Sequence, residues 1–312
     1  MVLPPAAHGR ITADNHRRWL SRGSITFAEP RSEMLLQVLD LIGAPKPESG
    51  MAALRFWGQT GERSGTWMAA ADAVHLETRL HSLRMRSLRP DELPESDLRP
   101  LFDRLQSALS TDTDFAFTRI GQYGYLRGEG SIDTAPMSAR VLHGLSPDEY
   151  LPTGDSAVAY HQLLGEVQMV LHEHEINQRR ARSGVPEINS LWLWGGGLAP
   201  KAAAFPLPKL FSDDPLFKGY WHSCDGDVAG WNGKIENMIG DSPSGFVAVL
   251  PDLDPESAGL ALHDCLDQLQ RNTVKSLTLL FRDGLSARIN RWDTLRILRG
   301  ISPLLEKKDN DD

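Results

Sequence analysis

The residues best suited to chemistry in this 312-residue chain crowd into one segment. His174, Asn177 and Arg180 recur at three-residue steps, and Asn189 follows beyond Gly184 and Pro186. On a helix that spacing makes one stripe, so an imidazole, an amide and a guanidinium could converge with Asn189 on an anion or another small ligand. The same groups could equally cap the helix and satisfy the backbone of the turn that follows it. Gly195-Gly196-Gly197 closes the segment. Its amides could bind an anion, with Gly195 and Gly197 as ligand candidates, or simply let a buried strand leave its sheet. The Gly-x-Gly-x-x-Gly dinucleotide pattern does not fit, because Leu198-Ala199-Pro200 follows instead of a helix start. His172 and His174, two residues apart, point about 200° away from each other on a helix and cannot share a metal there.

A second group is acidic. His222, Cys224, Asp225 and Asp227 lie close together, and Asp252 opens a cluster with Asp254 and Glu256. Carboxylates and imidazole hold divalent cations, so His222, Asp225, Asp227 and Asp252 are the metal candidates, with Mn or Mg as the ion. Asp-Gly-Asp is also ordinary turn chemistry, and acidic residues around Pro255 also suit a helix N-terminus. Other catalytic templates are missing from the sequence. There is no Gly-x-x-x-x-Gly-Lys-Ser/Thr loop and no Gly-x-Ser-x-Gly elbow, and His172-Glu173-His174-Glu175 departs from His-Glu-x-x-His because residue 176 is Ile.

These groups need elements to position them. Hydrophobic periodicity and stop signals predict helices over residues 30–43, 94–109, 155–182 and 256–271. Strand-like runs fall at 52–57, 66–76, 82–88, 114–126, 188–194, 246–250, 276–281 and 285–290. Alternating helix and strand in the second half predicts an α/β fold, a mixed sheet with helices on both faces, preceded by an α+β region. The division expected is 1–150, 151–305 and an acidic disordered tail at 306–312, with the boundary among the Gly and Pro residues of 144–154. Residues 188–194 lack strand alternation and are expected to form a central strand covered on both faces.

Composition sets the class. Hydrophobic residues make up 41%, charged 24% and aromatic 7%, which excludes collagen-like, disordered and disulfide-scaffold chains. With 33 basic against 41 acidic side chains the net charge is −8, which disfavours nucleic acid as a partner. Two cysteines, no apolar leader and no long apolar span lead to the expectation of a cytoplasmic protein with no membrane association.

Residues 165–197 carry a resemblance. Asn177, Arg180, Gly184, Asn189, Trp194, Gly195 and Gly197 fit an Asn-x-x-Arg, Gly, Asn, Trp-Gly-x-Gly pattern, and Glu166, Gln168 and Met169 fit its RpfE-type form. The stretch resembles the RpfE-type regulatory protein family, itself similar to cofactor-independent phosphoglycerate mutases of the archaeal type. Ala71-Asp72-Ala73-Val74-His75-Leu76 adds a shorter likeness. The mutase resemblance implies an alkaline-phosphatase-like α/β fold, two divalent metals and a phosphorylated serine. An early strand followed by an Asp-Gly ligand motif is not evident in residues 1–60, and the late Asp-x-x-x-His element is replaced by Asp252-Leu-Asp-Pro-Glu256. The expectation is therefore a bacterial regulatory protein on a degenerate mutase scaffold, working by binding, without a cofactor, on a protein or small anionic ligand. The alternatives are a divergent metal-dependent phosphomutase or phosphatase, and an interaction partner using Trp-rich strand edges and residues 291–296.

Overall fold

Glycine and proline punctuation places most helix ends. Helix α2 (Met34–Ile42) stops where Gly43 turns left-handed, its N–H donating to the Asp40 carbonyl at 3.3 Å and that of Ala44 to Leu39 at 2.9 Å. The computed structural model describes residues 1–5, 11, 14–27, 32–79, 82–110, 115–252, 255–295 and 300–305. Expectations for residues 30, 31, 114, 253, 254, 296 and the tail 306–312 lie outside them.

The chain opens with β1 (Val2–Leu3), α1 (Asp14–Arg22), β2 (Ser24–Phe27) and α2, then α3 (Met51–Thr60), β3 (Trp67–Thr78) and β4 (Leu83–Ser87). Next come α4 (Glu95–Leu109), β5 (Phe115–Ile120), β6 (Tyr123–Gly128), α5 (Val158–His172), α6 (Glu175–Arg182) and β7 (Ser190–Gly197). The last part holds β8 (Lys209–Ser212), α7 (Pro215–Ser223), β9 (Val228–Ala229), α8 (Ile235–Asp241), β10 (Phe246–Val249), α9 (Pro255–Gln270), β11 (Ser276–Phe281) and β12 (Leu285–Asn290).

Two compact units result. The first combines Met1–Ala44, Ala203–Asp214 and Cys224–Asp312; the second holds Pro45–Ala202 and Pro215–Ser223. This differs from the expected division near residue 150. The reason is strand pairing: Val2 pairs in parallel with Val249 and Leu280, which ties the chain's beginning to its last third.

The first unit is α/β, a seven-stranded mixed sheet in the order β2-β12-β11-β1-β10-β8-β9. Strands β11, β1, β10, β8 and β9 are mutually parallel, while β12 and β2 add antiparallel pairs at one edge. Leu20 of α1, Met238 of α8 and Leu262, Leu266 and Leu269 of α9 bury one face together with Leu3, Ala248, Leu277 and Leu279. Val2, Leu210, Val249 and Leu280 on the other face are buried too. Coverage on both sides explains the unbroken apolar run of β10 and the apolar end of β11, Leu279–Phe281.

The second unit is built on an antiparallel sheet. Strand β3 pairs along one edge with β6 and β4, along the other with β7, and β5 extends β6. Leu98, Leu101 and Leu105 of α4 and Leu163, Val167 and Leu171 of α5 pack with Leu191 and Leu193 of β7. Trp194 turns the other way, its ring against Arg55 of α3. Residues 188–194 are thus covered on both faces, yet among the described strands β7 pairs with β3 alone. Its outer edge is closed by Ala135, whose N–H donates to the Leu193 carbonyl and whose carbonyl accepts from Gly195, both at 3.0 Å. An unbroken apolar run reports coverage of both faces, and here that coverage occurs in an antiparallel sheet.

Two further expectations are corrected. Residues 52–57 are helical, within α3, because Met51, Ala52, Ala53 and Leu54 are strong helix formers and a short apolar run does not distinguish strand from buried helix. Helix α3 also crosses α7 closely: a Cβ on Gly58 would lie 1.9 Å from the Pro215 carbonyl oxygen, and one on Gly219 would lie 1.7 Å from that of Leu54. The helix expected over 155–182 breaks into α5 and α6 at His174, whose ψ of 131° is extended.

Candidate functional site

The break at His174 starts the polar joint. His174 Nδ1 accepts the Ile176 N–H at 3.2 Å and caps α6, which requires a neutral imidazole on that side. Burial lowers its pKa and favours that neutral form. Three residues on, Asn177 is 3% exposed. Its Nδ2 donates to the carbonyls of Leu171 and Ile188 and its Oδ1 accepts the Ile188 N–H, all at 2.8 Å. One amide therefore joins the end of α5 to the approach of β7.

Arg180, one turn further and also 3% exposed, ties down the next stretch. Its Nε donates to the Pro186 carbonyl and its Nη1 to the Glu92 carbonyl and the Asp97 carboxylate, each at 2.8 Å. Asp97 also accepts from Arg179 at 2.5 Å. Nη2 of Arg180 is buried without a hydrogen-bond partner. Asn189 continues the β3–β7 ladder with its side chain, accepting the Leu76 N–H at 2.8 Å and donating to the Leu76 carbonyl at 3.0 Å. His75 Nδ1 lies 2.9 Å from the Glu187 carbonyl oxygen. The four candidates thus gather at one joint, each engaged with backbone groups.

The glycine triplet belongs to the same unit. The Gly50 N–H donates to the Gly196 carbonyl at 3.1 Å, and a Cβ on Gly197 would lie 2.5 Å from the Gly50 nitrogen. Gly195 has φ 63° and stands against Met51 and Ala52. The Gly195 N–H donates to the Ala135 carbonyl at 3.0 Å and the Gly196 N–H to Thr134 Oγ1 at 2.9 Å, so these two amides are already engaged within the protein.

Sequence reasoning missed the most elaborate polar network. Arg55, 4% exposed, donates through Nη1 to Asp72 at 2.7 Å, through Nη2 to the Gly124 carbonyl at 2.9 Å and through Nε to the Tyr125 hydroxyl at 3.3 Å. Tyr125 donates to Gln59, and Trp194 Nε1 donates to Asp72 at 2.6 Å. The guanidinium lies 4.9, 4.8 and 5.4 Å from the ring centroids of Tyr123, Tyr125 and Trp194. Burial opposes the charge, but Asp72 and Tyr125 outweigh it and raise the Arg55 pKa; burial pushes the Tyr125 hydroxyl up to about 12. Asp72 and Trp194 appear in the resemblance, and Arg55 lies in the run expected as a strand.

In an open parallel sheet, ligands bind outside the carboxyl ends of the strands. In the first unit those ends carry Pro4 and Pro5 after β1, Asp213 and Asp214 after β8, Asp252 after β10 and Arg282 after β11. The early strand not evident from sequence does exist, as β1, and is followed by prolines. Leu3, Pro4, Pro5, Ala258, Leu262 and Phe281 line a shallow apolar hollow there. Arg282, with its side chain 8% exposed, donates from Nη2 to the Leu250 carbonyl at 3.0 Å, and its Nε lies 3.8 Å from Asp252.

The four metal candidates are dispersed. His222 lies in the second unit and the three carboxylates in the first. Asp225 has φ 54° in the turn after α7, Asp227 pairs with Lys209 at 3.5 Å, and Asp252 faces Arg282. Burial and Lys218 lower the His222 pKa. Among the described residues, no group of three or more His, Cys, Asp or Glu is arranged to hold a metal ion. The two-metal centre implied by the mutase resemblance does not fit the described residues: Asp213, Asp214 and Asp252 stand at strand ends but no group of three ligands converges there, and Pro4, Pro5 and Arg282 stand beside them. Trp192 and Trp194 are both buried, as their apolar run suggests, whereas Trp292 in the segment 291–296 is 64% exposed. Among the described residues no helix is long and apolar enough to cross a membrane.

The chain is similar to cofactor-independent phosphoglycerate mutases. It is 29% identical over 147 residues to the 2,3-bisphosphoglycerate-independent phosphoglycerate mutase of Methanosarcina mazei and 39% identical over 124 residues to that of Methanosarcina barkeri. Those segments cover 45% and 39% of this chain but 36% and 31% of the enzymes, so the match spans about a third of these curated relatives. No family model matches. Among solved structures, the cofactor-independent phosphoglycerate mutase of Thermoplasma acidophilum aligns with 88% of this chain and 82% of its own, at 17% identity and a TM-score of 0.39. A Pyrococcus horikoshii protein aligns with 88% and 77%, at 14% identity and a TM-score of 0.46.

Proposed function

We propose that this chain is an RpfE-type regulatory protein, a phosphoglycerate-mutase-like scaffold that acts by binding a protein or a small anionic ligand and not by catalysis. The observation that carries this reading is the chemistry of the parallel strand ends. Two-metal phosphotransfer needs carboxylates and histidines convergent on paired cations; among the described residues Asp213, Asp214 and Asp252 stand at the strand ends without such a convergence, β1 delivers Pro4 and Pro5 beside an apolar hollow, and Arg282 reaches across the neighbouring strands. On this reading the protein works in a bacterial cytoplasm, without nucleic acid, membrane or cofactor. The second reading, a divergent metal-dependent phosphomutase or phosphatase, draws on the names of the relatives.

The two readings part on one assay. Incubating the full chain with 3-phosphoglycerate and Mg, Mn or Co should give no 2-phosphoglycerate above background. Turnover of about 10 per second, a typical enzyme value, would overturn the regulatory reading in favour of the enzyme.

A further inference from the structure

We propose that the Arg282 guanidinium is the resident cation of the strand-end crevice in the first unit, standing where a divalent ion would otherwise neutralise Asp252. The inference rests on the reading of this scaffold as lacking a metal centre. Its basis is local. The Arg282 N–H donates to the Leu3 carbonyl at 3.1 Å, which places the residue at the end of β1, and its Nη2 reaches the Leu250 carbonyl at the end of β10. The side chain therefore spans from β11 past β1 to β10, across the carboxyl ends of three parallel strands. The atoms it engages, the Leu250 carbonyl oxygen and Asp252 Oδ1, are the oxygen types that bind Mg or Mn.

A fixed guanidinium differs from an ion in two ways. It is always charged and cannot dissociate, and it offers donors without an open coordination position for a phosphoryl oxygen. It would supply the crevice with charge balance and cross-strand bonding while withholding Lewis-acid chemistry. A divalent ion cannot share these oxygens with it, because like charges at contact distance repel.

The test is Mn binding to the full chain, read from loss of the free-ion electron paramagnetic resonance signal and from the melting temperature in Mn against chelator. The wild type should bind no Mn at 1:1 stoichiometry, with its melting temperature unmoved. Arg282→Gln, which keeps a donor for Leu250 but removes the charge, should bind one Mn and gain several degrees from it; adding Asp252→Asn should abolish both effects. Arg282→Lys, which preserves the charge, should behave as the wild type. One Mn bound by the wild type with Arg282 present, or a folded Arg282→Gln that ignores Mn, would overturn the proposal. If Arg282→Gln does not fold in chelator, folding on addition of Mn supports the proposal and failure to fold in Mn overturns it. Mutase turnover measured on the same wild-type preparation separates the two inferences. Turnover without Mn binding defeats the regulatory reading alone, and an inactive wild type with a Mn-indifferent Arg282→Gln defeats the role of Arg282 alone.

Discussion

The two units employ polar side chains for opposite purposes. In the second, His174, Asn177, Arg180 and Asn189 turn inward on backbone groups that the α5–α6 break and the approach to β7 leave unpaired. In the first, the strand ends where topology places ligands carry Pro4, Pro5 and an apolar hollow beside Asp213, Asp214, Asp252 and Arg282, with no ligand group of three converging among the described residues. The residues densest in motif character thus serve the architecture of an antiparallel unit, whereas the place suited to chemistry carries no motif. Density of Asn, Arg and Gly in sequence marks where backbone needs partners as readily as where a substrate sits.

The comparison breaks most visibly at Arg180. Arg180→Ala leaves Asp97, buried at 7% exposure, paired with the more exposed Arg179, and strips the Pro186 and Glu92 carbonyls. Removing one partner of a buried pair costs about 3–5 kcal/mol, so thermal unfolding should fall by many degrees. An unchanged melting temperature together with lost phosphate binding would make the joint a ligand site. Asn177→Ala should rank next, at about 1–3 kcal/mol, since it orphans the Ile188 N–H and two carbonyls. A neutral result in chemical denaturation would show that water replaces the amide.

The strand ends sharpen the contrast with a smaller number. Asp252 is 41% exposed and 3.8 Å from Arg282, so Asp252→Asn should cost at most about 1 kcal/mol in denaturant unfolding. A loss as large as that of Arg180→Ala would mean that the crevice is a structural joint as well. The smallest effect expected is that of pH. The folded pKa of His174 lies below its ordinary 6.5, so the unfolded chain binds the proton more readily. Its contribution is unaffected above pH 6.5 and is lost as pH falls from there through the folded value. His174→Asn, which keeps an N-cap acceptor but does not titrate, should flatten the stability profile over that window. An unchanged slope would remove His174 from the account.

Several features were legible in the sequence. Helix α4 followed from Leu98, Leu101, Leu105 and Leu109 on one face, and α2 from its Gly43 stop. The hairpin of β11 and β12 followed from the turn at Arg282, Asp283 and Gly284 between two strand-like segments. What stayed hidden has physical reasons. Strand β1 is two residues long and acquires its identity only from Val249, Leu280 and Phe281, which lie at the other end of the chain. Arg55 sits in a run whose apolar neighbours suit strand and helix alike, so its meeting with Asp72 and Tyr125 had no local signal. The polar stripe was visible as a stripe, but whether it faced a ligand or the backbone depended on partners such as Asp97, 83 residues before Arg180.

The central claim, that this mutase-like scaffold has no metal centre at its parallel strand ends, is tested most directly by a crystal structure of the full chain grown with Mn and 3-phosphoglycerate. The account predicts no anomalous Mn signal beside β1, β8 and β10, with Arg282 still donating to the Leu250 carbonyl. Mn ligated by Asp252 or Asp213 with phosphoglycerate against it, and Arg282 displaced, would contradict it.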